Sequence, residues 1–380
     1  MTVYNGADVV LASLRSAAGI TSALVDVDFL VLDDASPVPG FSDEVSALCS
    51  VLGFRYYRSP RNLGIPRNVN LGLLRALDGG YDHVVIANSD VVFSSGIVDQ
   101  FVKVWQADES IGSVTAWSNN ASIYSLPNDD PDAFLADQEV VDSIATSLIA
   151  EFGTAAVDVP AGISFCILIP TPVLRVVGLM DTVFGRGYCE ETDWTLRSKE
   201  LGYRITLSPS SFAYHRGQGS TAETGILAPG HTTVPANEDI IDMRYPLFRS
   251  QCQAFCASEI RDLLWNSARR RILTDAEHDH GYEIDLGWPR PSDDEGGGPR
   301  VTFEAAGGRL VPVCRYRGFR MELPTAGPDG DPIQAVVEFF GSKPRAARLS
   351  DHSRVTHDIA ATLRHQGVGV VSEVGYPSRV

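Results

Sequence analysis

Along the first half of the chain, short apolar runs alternate with stretches of helical periodicity, and each run ends in polar residues. The clearest run is Val84-Val-Ile-Ala87, which is β-branched and too short for an ordinary helix. It is typical of a strand buried on both faces in a parallel sheet. Asn88, Ser89 and Asp90 follow at its carboxyl end, where α/β sheets bind ligands and a carboxylate can hold a divalent metal. The alternative is a turn, because Asn, Ser and Asp are common turn residues.

The same alternation begins at the N-terminus. The pattern predicts a short strand before Tyr4, strands over 29–32 and 54–58, and helices over 7–18, 43–52 and up to 77. Strands and helices that alternate in this way form βαβ units, which imply a mainly parallel sheet with right-handed connections. The strand ends then share one edge of the sheet, where a nucleotide would lie. The polar residues at this edge are Tyr4 and Asn5, Asp33 and Asp34, Asn62 to Arg67, and Asn88 to Asp90.

A second cluster of polar residues follows a long stretch of mixed elements. The pattern there predicts helices over 97–108, 136–152 and 172–178, strands over 114–117, 157–162 and 166–169, and a functional loop over 119–137. Glu190, Glu191 and Asp193 then begin a helix that continues through Leu201, where the helix dipole favours acids. Solvated capping acids are the alternative, but the preceding residues 184–188 are glycine-rich and aromatic.

Residues 203–207 predict an edge strand, and His215 follows at the end of the next apolar segment. This histidine could bind a metal or a phosphate, although a lone histidine is more often structural. Beyond it, the composition predicts a flexible loop over 221–237, mostly helical structure over 238–278 and a linker over 288–298. Residues 300–380 predict a small α+β module with strands near 300–304, 310–315, 334–340 and 367–372 and a helix near 354–366.

Composition excludes several classes of protein. A formal charge of -17 and a pI near 4.8 argue against broad contact with nucleic acid or an anionic bilayer, so an anionic ligand needs a local cation or a metal. Neither a signal-peptide pattern nor an apolar run long enough to span a membrane is present, which predicts a cytoplasmic protein. Six scattered cysteines predict free thiols. The glycine motifs of dinucleotide folds and P-loops are absent from the expected places.

Taken together, the motifs resemble family 2 glycosyltransferases, and most closely their rhamnosyltransferase-like branch. The resemblance covers roughly residues 1–220. It rests on an ordered set of motifs: Asp33-Asp34-Ala-Ser36, Asn62-x-Gly64, Asn70-x-Gly72, Asn88-x-Asp90, Gly162, Gly178-Leu-Met-Asp181 with Phe184, Glu190-Glu-x-Asp193 with Arg197, Gly202, and His215 followed by Gly217, Gly219 and Ser220.

The resemblance implies a GT-A fold, which is Rossmann-like with a mainly parallel central sheet and flanking helices. It also implies a UDP-, dTDP- or GDP-sugar donor, a divalent Mn²⁺ or Mg²⁺ and an inverting reaction. Asp90 matches the last carboxylate of the metal motif, and His215 a histidine that joins the metal in some members. Glu191 matches the catalytic base. The matching donor-binding positions are Tyr4, Asn5, Asp33, Asp34, Asn62, Gly64, Arg67, Asn88, Ser89 and Gly162.

The chain departs from the family pattern in two places. The base position, usually Asp, is Glu191, so the base could also be Glu190 or Asp193. The first strand is short, since only three residues precede Tyr4; either the true start lies upstream or this edge of the nucleotide site is weaker than usual. A non-catalytic nucleotide-sugar-binding or assembly protein and a sugar nucleotidyltransferase remain the alternatives, although the latter needs an N-terminal glycine-rich basic loop.

The resulting domain prediction has four parts. Residues 1–220 form the catalytic domain, 221–285 a loop and helical extension, 286–299 a linker, and 300–380 the small α+β module. A module of about 80 residues has only a small core of its own. Its apolar face therefore predicts acceptor recognition or a homodimer held largely by residues 238–380.

Overall fold

The computed structural model describes residues 1–126, 137–217, 234–287, 297–306, 309–317, 319–324, 331–350 and 353–372. The chain forms two compact units, and the division falls between Leu264 and Trp265. Parts of the predicted loops and linker lie outside the described residues, namely 127–136, 218–233 and 288–296.

The first unit begins with three parallel strands in the order β1-β2-β3: Thr2–Val3, Leu30–Asp33 and Arg55–Arg58. Two helices connect them, α1 (Ala7–Ala18) and α2 (Phe41–Leu52). Their apolar faces pack into one cluster with the strands, which includes Val10, Leu14 and Val45. The βαβ pattern predicted from the sequence is therefore confirmed here, including both ends of α1.

A second sheet of the first unit contains six strands. They are β4 (His83–Ala87), β5 (Val91–Phe93), β6 (Ile111–Trp117), β7 (Val157–Asp158), β8 (Cys166–Pro170) and β9 (Arg204–His215). Their order is β4-β8-β6-β9-β5, and β7 also pairs with β9. Strands β6 and β9 are parallel, whereas the other neighbours are antiparallel.

Two predictions about individual strands are wrong. Strand β4 pairs with the antiparallel strand β8 instead of lying between parallel strands. Strand β9 is not an edge strand ending at 207, because it continues to His215 between β6 and β5. Its polar residues Thr206 and Ser208 are fully buried, and Thr206 Oγ1 donates to the carbonyl of Ser113 at 3.0 Å.

Seven further helices lie wholly within the described part of the first unit. They are α3 (Ile65–Asp78), α4 (Ile97–Ala107), α5 (Gln138–Phe152), α6 (Thr171–Val177), α7 (Glu190–Glu200), α8 (Val234–Arg244) and α9 (Phe248–Cys256). Short 3-10 turns occupy Ser122–Tyr124 and Thr182–Phe184. Helices α3, α6 and α7 share a buried cluster with β4 and β8, centred on Leu73, Ile167 and Trp194. This cluster places the N-termini of α3 and α7 on the same core.

Helix α10 (Glu259–His280) crosses the division between the units, and the second unit continues with a six-stranded sheet. Its strands are β10 (Glu283–Leu286), β11 (Arg300–Ala306), β12 (Arg309–Tyr316), β13 (Phe319–Glu322), β14 (Ala346–Leu349) and β15 (Val370–Ser372). Their order is β13-β12-β11-β10-β14-β15. Helices α11 (Pro332–Phe340) and α12 (Arg354–His365) complete the unit.

The predicted strand at 334–340 is wrong, because these residues form α11. The Asp331 side chain caps the helix by accepting from the Ile333 N–H, and Pro332 occupies the first turn. Ile333, Val336 and Phe340 are buried at helical spacing. The mostly helical prediction for 238–278 and the helix near 354–366 are confirmed by α8 to α10 and α12. All six cysteines are free, as predicted.

No helix among the described residues is both long and apolar enough to cross a membrane.

Candidate active site

A cleft in the first unit is lined by the ends of several strands and by the loops next to them. Its lining comes from β1, the segment before α3, the end of β4, the turn before β8, the loop before α7, and the end of β9. The lining residues are Thr2, Val3, Tyr4, Asp34, Asn62, Gly64, Ile65, Asn68, Asn88, Ser89, Asp90, Ile163, Ser164, Phe165, Arg186, Tyr188, Glu190, Glu191 and His215. The polar edge predicted from the sequence and the acids of α7 therefore meet in one cleft.

The two acids after β2 have different surroundings. Asp34 lines the cleft. Its carboxylate accepts hydrogen bonds from the backbone N–H of Leu63 at 2.7 Å and from that of Gly64 at 2.9 Å. Burial raises the pKa of Asp34 by more than these bonds lower it. Asp33 is fully buried, and its pKa is lowered because hydrogen bonds to its carboxylate outweigh the effect of burial. Its donors are the Ser36 N–H and hydroxyl and the hydroxyls of Ser42 and Tyr56.

The N-terminus of α3 is joined to the loop before α7 by close backbone contact. Gly64 has φ +80°, and a Cβ atom on it would lie 2.3 Å from the carbonyl oxygen of Gly185. The next residue, Ile65, donates its N–H to the carbonyl of Arg186 at 3.1 Å. Only glycine fits at position 64, because both the positive φ and the neighbouring carbonyl exclude a side chain.

Pairing of β5 with β9 brings Asp90 close to His215, since Val91 lies opposite His215. The Asp90 Oδ1 atom is 3.3 Å from His215 Nε2, and His215 Nδ1 lies 2.6 Å from the carbonyl oxygen of Asn120. The ring also stacks on Phe165. Burial lowers the pKa of His215, but the hydrogen bond and charge of Asp90 and the Asn120 carbonyl raise it by more.

These contacts fit a divalent metal at Asp90 and His215. The tautomer in which Nδ1–H donates to the Asn120 carbonyl leaves Nε2 able to bind a metal in place of the proton that it shares with Asp90, and a hydrogen bond from the other ring nitrogen is usual for metal-binding histidines. No cluster of three or more His, Cys, Asp or Glu side chains suited to a metal is found in the described ranges. Two protein ligands suit Mg²⁺ or Mn²⁺, since such ions keep several waters or substrate phosphate oxygens.

Helix α7 begins with two acids whose carboxylates are poorly satisfied. Glu190 is 4% exposed, and within the described part of the chain neither its Oε2 atom nor that of Glu191 has a hydrogen-bond partner. Burial raises the pKa of Glu190 well above its usual value, and the neighbouring Glu191 carboxylate raises it further. Burial also raises the pKa of Glu191, although backbone N–H groups oppose this. Both groups therefore favour a proton more than ordinary glutamates do.

Asp193, the third predicted acid, does not line the cleft. It is fully buried, and both of its carboxylate oxygens have cationic partners. Arg197 Nε is 2.9 Å from Oδ2, while Arg244 Nη1 and the Tyr245 hydroxyl are 2.6 Å and 3.2 Å from Oδ1. The structure thus separates the predicted cluster into two cleft acids and one acid within an ion-pair network.

Four other predicted donor-binding residues lie away from the cleft lining. Asp33 is fully buried beneath the hydroxyls that bond its carboxylate. Asn5 has φ +56° and donates its N–H to Ser36 Oγ. Arg67 is exposed on α3, and Gly162 packs against α7 with its N–H directed to Thr195 Oγ1 at 3.2 Å.

Several lining residues were not predicted. Arg186 and Tyr188 belong to the glycine-rich segment that preceded the acids in the sequence, and this composition was the available signal. Asn68 and Phe165 had no distinctive signal. Arg186 is the one Lys or Arg among the described residues that line the cleft, and no carboxylate in the described ranges pairs with it.

Comparison with known proteins supports a glycosyltransferase. Residues 1–143 match the family model described as Glycosyl transferase family 2, so the match includes Asp90 but not α7 or His215. The predicted GT-A-like α/β fold class is confirmed, whereas the rhamnosyltransferase-like branch is not. No curated protein matches the chain.

Two solved structures are similar to this chain. One is the mannosyltransferase PcManGT from Pyrobaculum calidifontis in complex with GDP-Man and Mn²⁺, with 15% identity, 73% of each chain covered and a TM-score of 0.45. The other is GalNAc-T7 with UDP, GalNAc and Mn²⁺, with 10% identity, coverage of 69% of this chain and 56% of that chain, and a TM-score of 0.44. Because both TM-scores are below 0.5, neither likeness assigns a ligand to this chain.

Proposed function

We propose that this chain is a metal-dependent, inverting glycosyltransferase that moves a sugar from a nucleoside-diphosphate donor to an acceptor hydroxyl. The observation that carries the proposal is the presence of two complementary groups in one cleft. Asp90 and His215 form a pair suited to a cation, and Glu190 and Glu191 form a pair suited to accept a proton. Breaking a glycosidic bond to a diphosphate requires the first group, and activating a hydroxyl requires the second.

The nucleoside would occupy the edge formed by β1, β2 and the start of α3. Tyr4, Asp34, Asn62 and Gly64 line the cleft there. The Asp34 carboxylate is held by the Leu63 and Gly64 N–H groups, so its remaining lone pairs have a fixed direction. A fixed acceptor of this kind can bind a ribose hydroxyl or a base N–H. Asn88 and Ser89 extend the same edge toward Asp90.

The diphosphate needs positive charge in a chain whose formal charge is -17. Asp90 and His215 would hold Mn²⁺ or Mg²⁺, which when bound supplies a Lewis acid for the leaving diphosphate. Arg186 would contact the same phosphates, since an arginine without a carboxylate partner offers its planar guanidinium for phosphate binding.

Glu191 is proposed as the general base. Its carboxylate accepts the proton of the acceptor hydroxyl while the hydroxyl oxygen attacks the anomeric carbon opposite the diphosphate. The bond from this carbon to the diphosphate breaks in the same displacement, so the anomeric configuration inverts and no covalent enzyme intermediate forms. The raised pKa of Glu191 makes it a stronger base than an exposed glutamate. Glu190 is the alternative base, whereas both oxygens of Asp193 are engaged by arginines.

A thermal-shift panel tests donor binding without knowledge of the acceptor. UDP-, dTDP- and GDP-sugars are compared with and without Mn²⁺, because a ligand that binds the folded state raises Tm. We expect one class of donor to raise Tm in the presence of metal, and Asp90→Ala to abolish the metal-dependent part while leaving the fold intact. Failure of every donor to raise Tm, or an unchanged metal effect in Asp90→Ala, contradicts the proposal.

A matched pair of arginine variants tests the diphosphate contact. Arg186→Gln should weaken donor binding at least about 10-fold, because charge-assisted bonds to phosphate contribute roughly 1.5–3 kcal/mol. Arg67→Gln is the control, since Arg67 is exposed and outside the lining. Equal losses in both variants would contradict the assignment to Arg186.

A further inference from the structure

We propose that Asn237 is a positioning residue, which holds the loop from Phe184 to Tyr188 so that Arg186, Tyr188 and the acids of α7 line the cleft. The inference rests on the proposed function for its catalytic consequence. Asn237 lies in α8, within the stretch that the sequence suggested was a flexible loop.

The side-chain amide of Asn237 bonds three carbonyl oxygens of one loop. Its Nδ2 atom is 3.1 Å from the oxygen of Phe184, 2.7 Å from that of Gly187 and 3.0 Å from that of Tyr188. Asn237 is 4% exposed, so water does not compete for these bonds. Because an amide NH2 carries two hydrogens, one of them is shared between two of these oxygens, and a single group thus contacts three carbonyls of the loop.

The backbone that follows these bonds is strained. Tyr188 and Cys189 have φ values of +71° and +74°, and two adjacent non-glycine residues rarely adopt the left-handed conformation. Such residues persist when surrounding contacts over-determine the backbone. The Gly187 carbonyl bonded by Asn237 lies directly before this turn and the Tyr188 carbonyl lies within it, while Glu190 begins α7 directly after it. Asn237 is thus placed to hold the turn that directs the acids.

Helix α8 also contacts the two ends of the wider segment through a different residue. Arg244 pairs with Asp181, before the loop, at 2.9 Å and with Asp193, after it, at 2.6 Å. These ion pairs anchor the flanks, whereas the bonds of Asn237 lie at the strained turn itself. Backbone bonds within and around the loop include Gly185 N–H to the Thr182 carbonyl, Gly187 N–H to the Phe184 carbonyl and Ile65 N–H to the Arg186 carbonyl.

The first experiment compares Asn237→Asp and Asn237→Ala with Gln100→Ala. In Asn237→Asp, a carboxylate oxygen replaces the Nδ2 donor and faces the three carbonyl oxygens, which repel it. In Asn237→Ala, the donor is removed and no charge is added. Gln100 is a matched control, because its buried amide donates to the Gly153 carbonyl and to Ser210 Oγ, outside the cleft. All variants are measured below their melting temperatures, so that turnover refers to folded protein.

We expect turnover of both Asn237 variants to fall about 10- to 100-fold, since a small misplacement of catalytic groups has effects of this size. Hydrogen exchange of residues 185–193 should become at least about 10-fold faster. Gln100→Ala should change neither quantity. Unchanged turnover and exchange in both Asn237 variants would overturn the proposal.

A rescue experiment separates positioning from general stability. Glycine adopts positive φ without penalty, so Cys189→Gly should relieve the strain and restore most of the turnover and protection lost in Asn237→Ala. Cys189 does not line the cleft, so the substitution removes no lining side chain. Absence of rescue would overturn the strained-turn role. If wild-type protein transfers no sugar but exchange still rises in Asn237→Ala and recovers with Cys189→Gly, the positioning stands and the proposed function fails.

Discussion

Two pairs of consecutive acids, Asp33 with Asp34 and Glu190 with Glu191, differ in what surrounds their oxygens. Asp33 receives four hydrogen bonds and Asp34 receives two from backbone N–H groups. Both glutamates retain a buried oxygen with no partner among the described residues. The pKa of Asp33 is accordingly lowered, whereas burial raises the pKa values of Asp34, Glu190 and Glu191.

The difference indicates which acids organise the fold and which are available for chemistry. A carboxylate saturated with donors is stabilised in its charged form, so it is a weak base and a strong structural acceptor. A carboxylate that is buried without donors is costly to ionise and therefore accepts a proton readily. Like Asp33, Asp193 has hydrogen-bond donors at both carboxylate oxygens, although it lies two residues after Glu191 in the sequence.

The largest expected effect is on stability, in Asp193→Asn. This substitution removes the buried charge that pairs with Arg197 and Arg244, whose side chains are 28% and 37% exposed, so we expect a loss of roughly 3 kcal/mol, the lower end of the range for buried pairs. Denaturant unfolding measures the loss. A stability close to wild type, combined with loss of turnover, would instead place Asp193 among the reacting groups and remove the contrast with Glu191.

Next in size is the effect of Glu191→Gln on turnover. We expect a fall of about 10²-fold or more, the usual contribution of a general base, with nearly unchanged donor affinity. Single-turnover kinetics and donor titration separate the two quantities. Glu190→Gln is the comparison, and a larger loss in that variant would assign the base to Glu190.

Asp33→Asn tests whether Asp33 stabilises the fold and does not bind the donor. The amide loses the charge that four donors stabilise, so we expect a loss of roughly 1–3 kcal/mol in unfolding free energy. Because Asp33 does not line the cleft, the donor affinity of folded protein should change little. A donor affinity that falls in parallel with stability would contradict this separation.

The smallest expected effect is a pH-dependent gain in stability from Glu190→Gln. The folded pKa of Glu190 is raised, so its ionisation destabilises the wild-type fold as pH rises above the unfolded value of 4.5 and through the folded value. Glutamine removes this cost, and a gain of about 1 kcal/mol would raise Tm by roughly 2–4 °C at pH 8. The gain should vanish near pH 4.

Asp33→Asn should show the opposite dependence on pH. The folded pKa of Asp33 is lowered, so its stabilisation is present above the unfolded value of 3.8 and is lost as pH falls through the folded value. Melting scans of the two variants from pH 3 to pH 8 test both signs. Parallel profiles for Asp33→Asn and Glu190→Gln would contradict the distinction between Asp33 and Glu190.

Local pattern was sufficient to predict much of the first unit. The ends of α1, the parallel order of β1 to β3 and the polar residues at the strand ends followed from periodicity and turn chemistry. The role of a given acid could not be predicted, because it depends on donors distant in sequence. Asp33 is bonded by Tyr56, and Asp193 by Arg244.

Elsewhere the same limitation produced errors. The buried hydroxyls of β9 have partners within the protein, such as the Ser113 carbonyl for Thr206 and the hydroxyls of Ser210 and Ser211 for Ser208. Asn237 could not be identified, since its function depends on three carbonyls about fifty residues earlier. In α11, the cap formed by Asp331 and the Pro332 that follows it were readable signals that favoured a helix.

The position of β10 bears on how the chain can be shortened. Glu283–Leu286 lies between β11 and β14 in the middle of its sheet, although the sequence analysis placed residues 283–285 at the end of the loop and helical extension and Leu286 at the start of the linker. A protein truncated after Leu286 would keep this apolar strand and lose both of its hydrogen-bonded neighbours. Two bare strand edges promote self-association, so such a fragment would aggregate whether or not the full-length chain forms the proposed homodimer. Deletions intended to measure assembly should therefore remove β10 together with the rest of its sheet.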